Sequence, residues 1–419
     1  MTAAIRNRVD TQQESGTESK DLSDPDRDTP ARPINPDVLL LTELYPPFVG
    51  GSAVLYEGIY SRLSDKNIIV LTDEKQSAGP DTVRGNLWIE RRDISSDYWG
   101  LLKLSAFKRH WRIASYVKEL ADKRNTIVHC GRTLPEGLAA YLARKRGGPR
   151  YACWAHGEDI TLQVSVSREM RMWTDKICRG AEAIFANSEN TKNIVVDTGV
   201  PRDKIHVVYP GVDADEFRPE NDGAALRQKH APNGEPFIVS IGRLERRKGF
   251  DLTLRAVAKL RQSIPNIRYA MVGGGPDLDY LKNMVAELGI EENVDVTGRV
   301  PFDDLPRYYA ACDVFVHPNR IEGVDVEGFG IVFLEAAATE RPTIGGNTGG
   351  VPEAVADGET GLLVSGTDED ELADTIKRLL DSPQLREQLG RAGRKRVLES
   401  FTWDATAASM QRLLNELNL

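Results

Sequence analysis

Cysteine and histidine are scarce, four and six among 419 residues. Cys130, Cys153, Cys178 and Cys312 stand far apart with no CxxC pair, which argues against a disulfide-stapled scaffold or a zinc ribbon and fits a reduced compartment. No run approaches the roughly 20 apolar residues of a membrane span, and the N-terminus lacks the apolar core of a secretory signal. The expected location is the cytoplasm. Basic excess is missing too: 54 Lys and Arg face 63 Asp and Glu, for a net charge of −9. Nucleic-acid binding, which usually needs a basic domain, is not expected. Apolar residues are nearly absent from residues 1–35, which are rich in Thr, Ser, Asp, Glu, Gln and Pro. That composition predicts a disordered tail.

What is present is a chain with 40% hydrophobic residues, long enough for two or three domains at about 150 residues each. From residue 37, apolar runs alternate with helical patterns. The spacing predicts strands at 37–42, 68–71, 127–130, 151–155 and 183–186, with helices at 52–63, 107–124, 135–146, 167–179 and 190–198. Residues 204–213 close this unit, and 216–236 reads as a polar linker with a short helix. A second series follows, with strands at 237–241, 269–272, 294–297, 314–317, 343–344 and 362–364. Its helices are predicted at 250–262, 277–288, 303–311, 330–339, 369–380 and 383–399, and 401–417 is a final amphipathic helix. Such alternation means α/β architecture with parallel sheets covered on both faces. Two doubly wound units in tandem leave a crevice between their carboxyl edges, where ligands of open α/β sheets bind.

The densest chemistry lies between His317 and Val355. A buried strand ends at His317-Pro318, a loop carries Glu322, Asp325 and Glu327, and Gly328 and Gly330 lead into a helix bearing Glu335. Glycines before a helix leave free N–H groups at its positive end, a seat for phosphate or sugar oxygens. After the first strand of the second unit come Arg243 and Lys248, two cations suited to a diphosphate. The alternative is a solvated basic turn, and Arg246 and Arg247 are assigned to it. On the other side of the crevice, Gly50 and Gly51 precede a helix and allow close backbone approach to a phosphate. His156 stands at a strand's carboxyl end, placed to bond a sugar hydroxyl or move a proton. Glu158 and Asp159 beside it serve equally well as helix caps.

Two patterns point away from other chemistry. The full GxGxxG fingerprint of dinucleotide dehydrogenases is missing, at Gly50-Gly51 and at Gly273–Gly275 alike. Three DxD strings, at 213–215, 277–279 and 368–370, each sit at a helix entry where Asp is favoured on capping grounds. They are read as structural, and no metal is expected. Residues 101–124 carry Lys103, Lys108, Arg109, Arg112, Lys118, Lys123 and Arg124 against Glu119 and Asp122, a local balance of +5. With Leu101, Leu104, Phe107, Trp111 and Tyr116 interspersed, this helix is either a core stripe with a solvated back or an interfacial helix on anionic lipid.

Together these residues resemble the retaining glycosyltransferases of family 4, with the GT-B fold, over nearly all of 37–419. The most specific motif is a pair of glutamates with seven residues between them, Glu327 and Glu335 in EGFGIVFLE. The Gly50-Gly51 loop, His156-Gly157, Arg243 with Lys248, and the run from Gly349 to Glu353 stand in the family's order. The wording around Glu327 is similar to that of bacterial phosphatidylinositol mannosyltransferases that use GDP-mannose.

The resemblance implies a fold of two Rossmann-like domains, 36–213 for the acceptor and 214–400 for the donor, facing across a cleft. Residues 401–419 would form a helix crossing back to the first domain. It implies transfer of a mannose- or glucose-type hexose from a nucleotide diphosphate sugar, GDP-mannose or else a UDP-sugar. The acceptor would be a lipid-linked or glycan hydroxyl in cell-envelope or polysaccharide synthesis. Arg243 and Lys248 would neutralise the diphosphate, making a metal unnecessary, and Gly50 and Gly51 would lend amides to it. Glu327 and the amides of Phe329, Gly330 and Ile331 would hold sugar and phosphate, Glu335 the ribose hydroxyls, and His156 the transferred sugar. The loop 319–325 and Thr339-Glu340-Arg341 depart from the family pattern and leave donor sugar and acceptor open. The alternatives are a nucleotide-sugar epimerase of the same architecture and a non-catalytic sugar-nucleotide-binding protein. The protein would work in the cytoplasm, with peripheral contact at the inner membrane face through 101–124.

Overall fold

Five consecutive residues, VLLLT, build β1 (Val38–Thr42), and all five are buried, as a strand covered on both faces requires. In the computed structural model, which describes residues 33, 35–48, 50–75, 79 and 81–419, a first series follows: α1 (Gly51–Tyr60), β2 (Ile68–Asp73), β3 (Thr82–Arg84), β4 (Leu87–Arg92), α2 (Leu104–Leu120), β5 (Ile127–Cys130), α3 (Glu136–Lys145), β6 (Arg150–Ala155), α4 (Glu158–Val166), α5 (Arg168–Gly180), β7 (Ile184–Ala186), α6 (Glu189–Asp197) and β8 (Ile205–Val207). After α7 (Ala224–His230) the second series runs β9 (Phe237–Ile241), α8 (Phe250–Leu260), β10 (Arg268–Val272), α9 (Leu278–Leu288), β11 (Val294–Gly298), α10 (Leu305–Ala311), β12 (Val314–His317), α11 (Ile331–Ala338), β13 (Thr343–Gly346), α12 (Val351–Ala354) and β14 (Gly361–Val364). It closes with α13 (Glu369–Asp381), α14 (Pro383–Ser400) and α15 (Trp403–Leu417).

The strands form two sheets, in the orders β3-β4-β2-β1-β5-β6-β7-β8 and β11-β10-β9-β12-β13-β14. All pairings are parallel except β3 with β4. Strand order reverses between β1 and β5 in the first sheet and between β9 and β12 in the second. At such switch points successive loops diverge and leave a crevice at the carboxyl ends. The loops holding Gly50, Gly51, Arg243, Lys248 and Glu327 all leave from these strands.

Apolar layers cover both faces of each sheet. Helix α15 completes one of them: Trp403, Ala407, Met410 and Leu414 pack with Val38, Leu40, Leu55 and Ile59 of the first sheet and α1. The short helix α12 was not expected, and two larger features also depart from the sequence expectation. The β3–β4 hairpin has no predicted counterpart, and α4 occupies residues to which no element was assigned. The expected tail, 1–35, lies outside the described residues except at Pro33 and Asn35.

Candidate active site

Two helix N-termini converge in the crevice. Gly50 stands at the N-cap of α1 and Gly330 at that of α11, and neither helix has a side-chain cap. No capping side chain takes their first-turn amides, although Phe333 N donates to the Gly330 carbonyl, and the helix dipoles favour an anion there. The two ends are close, since a Cβ added to Gly51 would lie 3.9 Å from Ile331 Cδ1. Gly330 has φ 95°, a left-handed conformation that glycine adopts without strain. Gly328 is needed for a different reason: a Cβ there would sit 2.1 Å from the His156 carbonyl oxygen. The Gly50-Gly51 and Gly330-Ile331 turns are thus brought side by side. Phe329 turns its ring into the core against Tyr209 and Phe401, so only its backbone is available to a ligand.

The basic run after β9 divides in a way its sequence did not reveal. Arg243 is exposed and its Nε lies 2.8 Å from Glu245 Oε1. Arg246 is also exposed, as expected, and lies 3.4 Å over the Tyr280 ring. Arg247 overturns the reading of a solvated turn: it is 6% exposed and donates from Nη1 to Glu327 Oε2 at 2.7 Å. Its Nε lies 2.9 Å from Asp325 Oδ1 and its Nη2 3.2 Å from Glu158 Oε2. Lys248 also donates to Glu327 Oε2, and Asn319 Nδ2 donates to the same oxygen at 2.8 Å. Burial pushes the Glu327 carboxyl up, but the Lys248 and Arg247 charges prevail and hold it at about 2. Glu327 is ionised throughout the working range, so its use is to orient and accept hydrogen bonds.

Glu335, about one turn along α11, has the opposite environment. Burial lifts its carboxyl to about 7 against the hydrogen bond from Tyr309, whose hydroxyl lies 2.5 Å from Oε2. His156 closes the other wall. Its Nε2 lies 2.8 Å from the Tyr56 hydroxyl and 3.1 Å from the Gly131 carbonyl. The single Tyr56 proton goes to that carbonyl at 2.5 Å, so Nε2 must be the donor and Nδ1 the lone-pair acceptor. Burial drops the His156 pKa to about 4, leaving a neutral ring that can accept from a hydroxyl. The two readings of the neighbouring acids separate: Asp159 accepts from the amides of His156 and Ile160, while Glu158 reaches across to Arg247. In two of the DxD strings the first Asp, Asp213 or Asp368, accepts amides of its own turn, and Asp213, Asp277 and Asp370 also pair with Arg62, Arg246 and Lys259.

Comparison with known proteins gives this geometry a context. The model described as glycosyl transferases group 1 matches residues 222–396, and that of Glycosyltransferase Family 4 matches 49–216. A GDP-mannose-dependent alpha-(1-6)-phosphatidylinositol monomannoside mannosyltransferase of Mycolicibacterium smegmatis is 35% identical over 307 residues, covering 72% of this chain and 80% of that protein. A D-inositol 3-phosphate glycosyltransferase of Corynebacterium efficiens is 32% identical over 260 residues, 60% of each chain. Among solved structures, sucrose-phosphate synthase from Thermosynechococcus elongatus superposes with a TM-score of 0.76 at 22% identity, over 91% of this chain and 98% of that one. The two facing sheets share that protein's fold.

Proposed function

The chain belongs to the family 4 glycosyltransferases, and from that premise we propose that it moves a mannosyl residue from GDP-mannose to a hydroxyl of a lipid-linked, inositol-bearing acceptor, with retention and without a metal ion. The observation that carries this reading is the meeting of the α1 and α11 N-termini beside Lys248 at the switch points of both sheets. Departure of a sugar from a diphosphate builds negative charge on the leaving oxygens. Fixed amide dipoles and a nearby ammonium stabilise that charge more than they stabilise the ground state. They supply what a divalent cation supplies elsewhere. Arg243, on its exposed side chain, adds a second cation once it leaves Glu245.

Retention follows if the leaving phosphate takes the acceptor proton while attack occurs on the same face of the sugar. Closure of the two sheets supplies orientation and dryness. Neutral His156 accepts from a sugar hydroxyl through Nδ1, Glu327 orients sugar and phosphate oxygens, and Glu335 takes the ribose hydroxyls. Gly50, Gly51, Phe329, Gly330 and Ile331 contribute backbone amides. Identity to a GDP-mannose-dependent relative over most of both chains supports the donor.

A lipid acceptor is supported by α2. Its core face is Ala106, His110, Ile113, Ala114, Val117 and Leu120, yet Leu102, Leu104, Phe107 and Trp111 are exposed by 81%, 69%, 39% and 43%. Arg109 and Arg112 are engaged by Asp93 and Arg146 lies 3.9 Å over the Trp111 ring, while Lys103 and Lys108 are exposed beside this apolar patch. The patch and its lysines suit peripheral docking on an anionic bilayer at the cytoplasmic face. No helix among the described residues is long and apolar enough to cross a membrane.

The test is a transfer assay with GDP-mannose, UDP-glucose and other nucleotide sugars, in EDTA, against phosphatidylinositol mannosides in vesicles and free inositol phosphate. The expected product is an α-mannoside of the lipid. Transfer from UDP-sugars alone would overturn the donor, activity only on free inositol phosphate the acceptor, and an inverted product the stereochemistry.

A further inference from the structure

Resting on the glycosyl-transfer reading above, we propose that Arg247 is a positioning residue that holds Glu327 in place and latches the cleft through Glu158, distinct from the diphosphate-binding role of Lys248. The one-turn 3-10 helix Arg246–Lys248 makes this possible. At about three residues per turn, successive side chains diverge by roughly 120°. Arg246 therefore points out over Tyr280, Lys248 contacts Glu327, and Arg247 turns inward to 6% exposure. Its backbone is pinned as well, since the Arg320 amide donates to the Arg247 carbonyl at 2.9 Å.

The guanidinium fork suits this position in a way an ammonium does not. On the donor side Nη1 donates to Glu327 at 2.7 Å, while Asp325 at 2.9 Å from Nε and Glu245 at 3.6 Å from Nη2 add charge attraction without hydrogen bonds. Nη2 reaches Glu158, 3.2 Å away at the start of α4 on the other sheet. A planar group with five donors can serve both sides at once.

Charge supplies the reason. Lys248 shares Oε2 of Glu327 with Arg247, and a diphosphate entering beside them must draw Lys248 toward itself. Were Lys248 the only cation on Glu327, its departure would leave a buried carboxylate unpaired next to an anion, which is strongly unfavourable. Arg247 stays on Glu327 and makes the exchange feasible. The same side chain ties that event to the His156 loop, because Glu158 lies two residues beyond His156 and the His156 carbonyl abuts Gly328.

The experiment uses the full chain with R247Q, R247K, E158Q and the R247Q/E158Q double variant. Kinetics with GDP-mannose should show R247Q raising donor KM about tenfold and lowering kcat about 100-fold, on a scale of 1.36 kcal/mol per decade. E158Q should lower kcat by roughly tenfold with donor KM little changed, and the double variant should match R247Q rather than the product of the two, as coupled sites do. R247K keeps the buried charge and the fold but loses the fork. It should recover donor KM without recovering kcat, a split that a merely structural role would not produce. Small-angle scattering of the ligand-free protein reads the latch without substrate, and R247Q, R247K and E158Q should all increase the radius of gyration. Wild-type kinetics in R247K, multiplicative effects in the double variant, or an unchanged radius in all three would overturn the proposal. A wild-type protein inactive with GDP-mannose overturns the donor reading instead, and scattering still decides the latch.

Discussion

Glu327 and Glu335 flank one turn and a half of the same helix entry, yet their carboxyls sit at about 2 and about 7. Both are buried, so burial alone cannot separate them. Glu327 receives Lys248, Arg247 and Asn319 on one oxygen, whereas for Glu335 the hydrogen bond opposing burial is that of Tyr309. A carboxyl raised from 4.5 unfolded to about 7 folded contributes stability that is fully present below 4.5 and lost as pH rises through 7. Ionised Glu335 is thus a standing cost above neutrality, at most about 3 kcal/mol for a shift of that size. Glu335→Gln keeps the Tyr309 hydrogen bond and does not titrate. Scanning calorimetry should find the variant more stable than wild type at pH 8, with the gap closing toward pH 5. GDP affinity at pH 8, measured by titration calorimetry, should fall by about tenfold, as expected for losing a charged hydrogen bond. A variant less stable than wild type at both pH values would refute this account.

Legibility at this scale tracks geometry. The backbone positions of His156, Glu327 and Glu335 were readable because strand ends and glycine turns fix where the chain goes. Arg247 was not, because three basic residues in a row look alike until a 3-10 turn sends each in its own direction.

Among the elements, the buried parallel strands were legible as continuous apolar runs such as FIVSI of β9, and α11 as an apolar segment after a glycine. The β3–β4 hairpin was not. TVR of β3 is an exposed edge strand made by pairing rather than burial, and LWIERR of β4, though it buries Leu87, Ile89 and Glu90 beside β2, carries charges that break the continuous apolar run. Helix α4 is rich in Ile, Thr and Val, residues of low helix propensity, and the packing of α4 on α5 outweighs that preference. Helix α2 was legible as amphipathic, but only its packing on the sheet shows which apolar residues stay outside. Leu104, Phe107 and Trp111 do, with Phe107 and Trp111 stacked at 5.8 Å. The proposed lipid docking is therefore a property of this element's outer face. Replacing Leu104 and Phe107 together by Asp should weaken flotation with anionic vesicles about tenfold or more, since each exposed apolar side chain adds roughly 1–2 kcal/mol on burial. The melting temperature should hold, because neither residue belongs to the core. Flotation equal to wild type at low salt would place docking elsewhere.

The whole molecule works only if the two sheets meet, and the contacts that join them were not visible in either half of the sequence. Glu353, at the start of the second sheet's α12, accepts from the amides of Glu189 and Asn190 at 2.7 and 2.8 Å and so caps α6 of the first. Gly328 brings the Glu327 loop against the His156 carbonyl. These contacts differ in kind. The Glu353 cap is a pair of charge-assisted hydrogen bonds that water can replace in part, so Glu353→Ala should lower kcat by about tenfold. The Gly328 contact is steric: a methyl group 2.1 Å from a backbone oxygen has nowhere to go. Gly328→Ala must therefore hold the sheets apart by an ångström or more, and a misplacement of about 1 Å can cost 100-fold in rate. Each sheet keeps its own core, so the melting temperature should move little. GDP binding should survive within about tenfold, because Glu335 and the α11 amides belong to one sheet. Retained transfer with Gly328→Ala would mean that the working complex does not bring these loops together, and the roles given to His156 and Glu158 would fall with it.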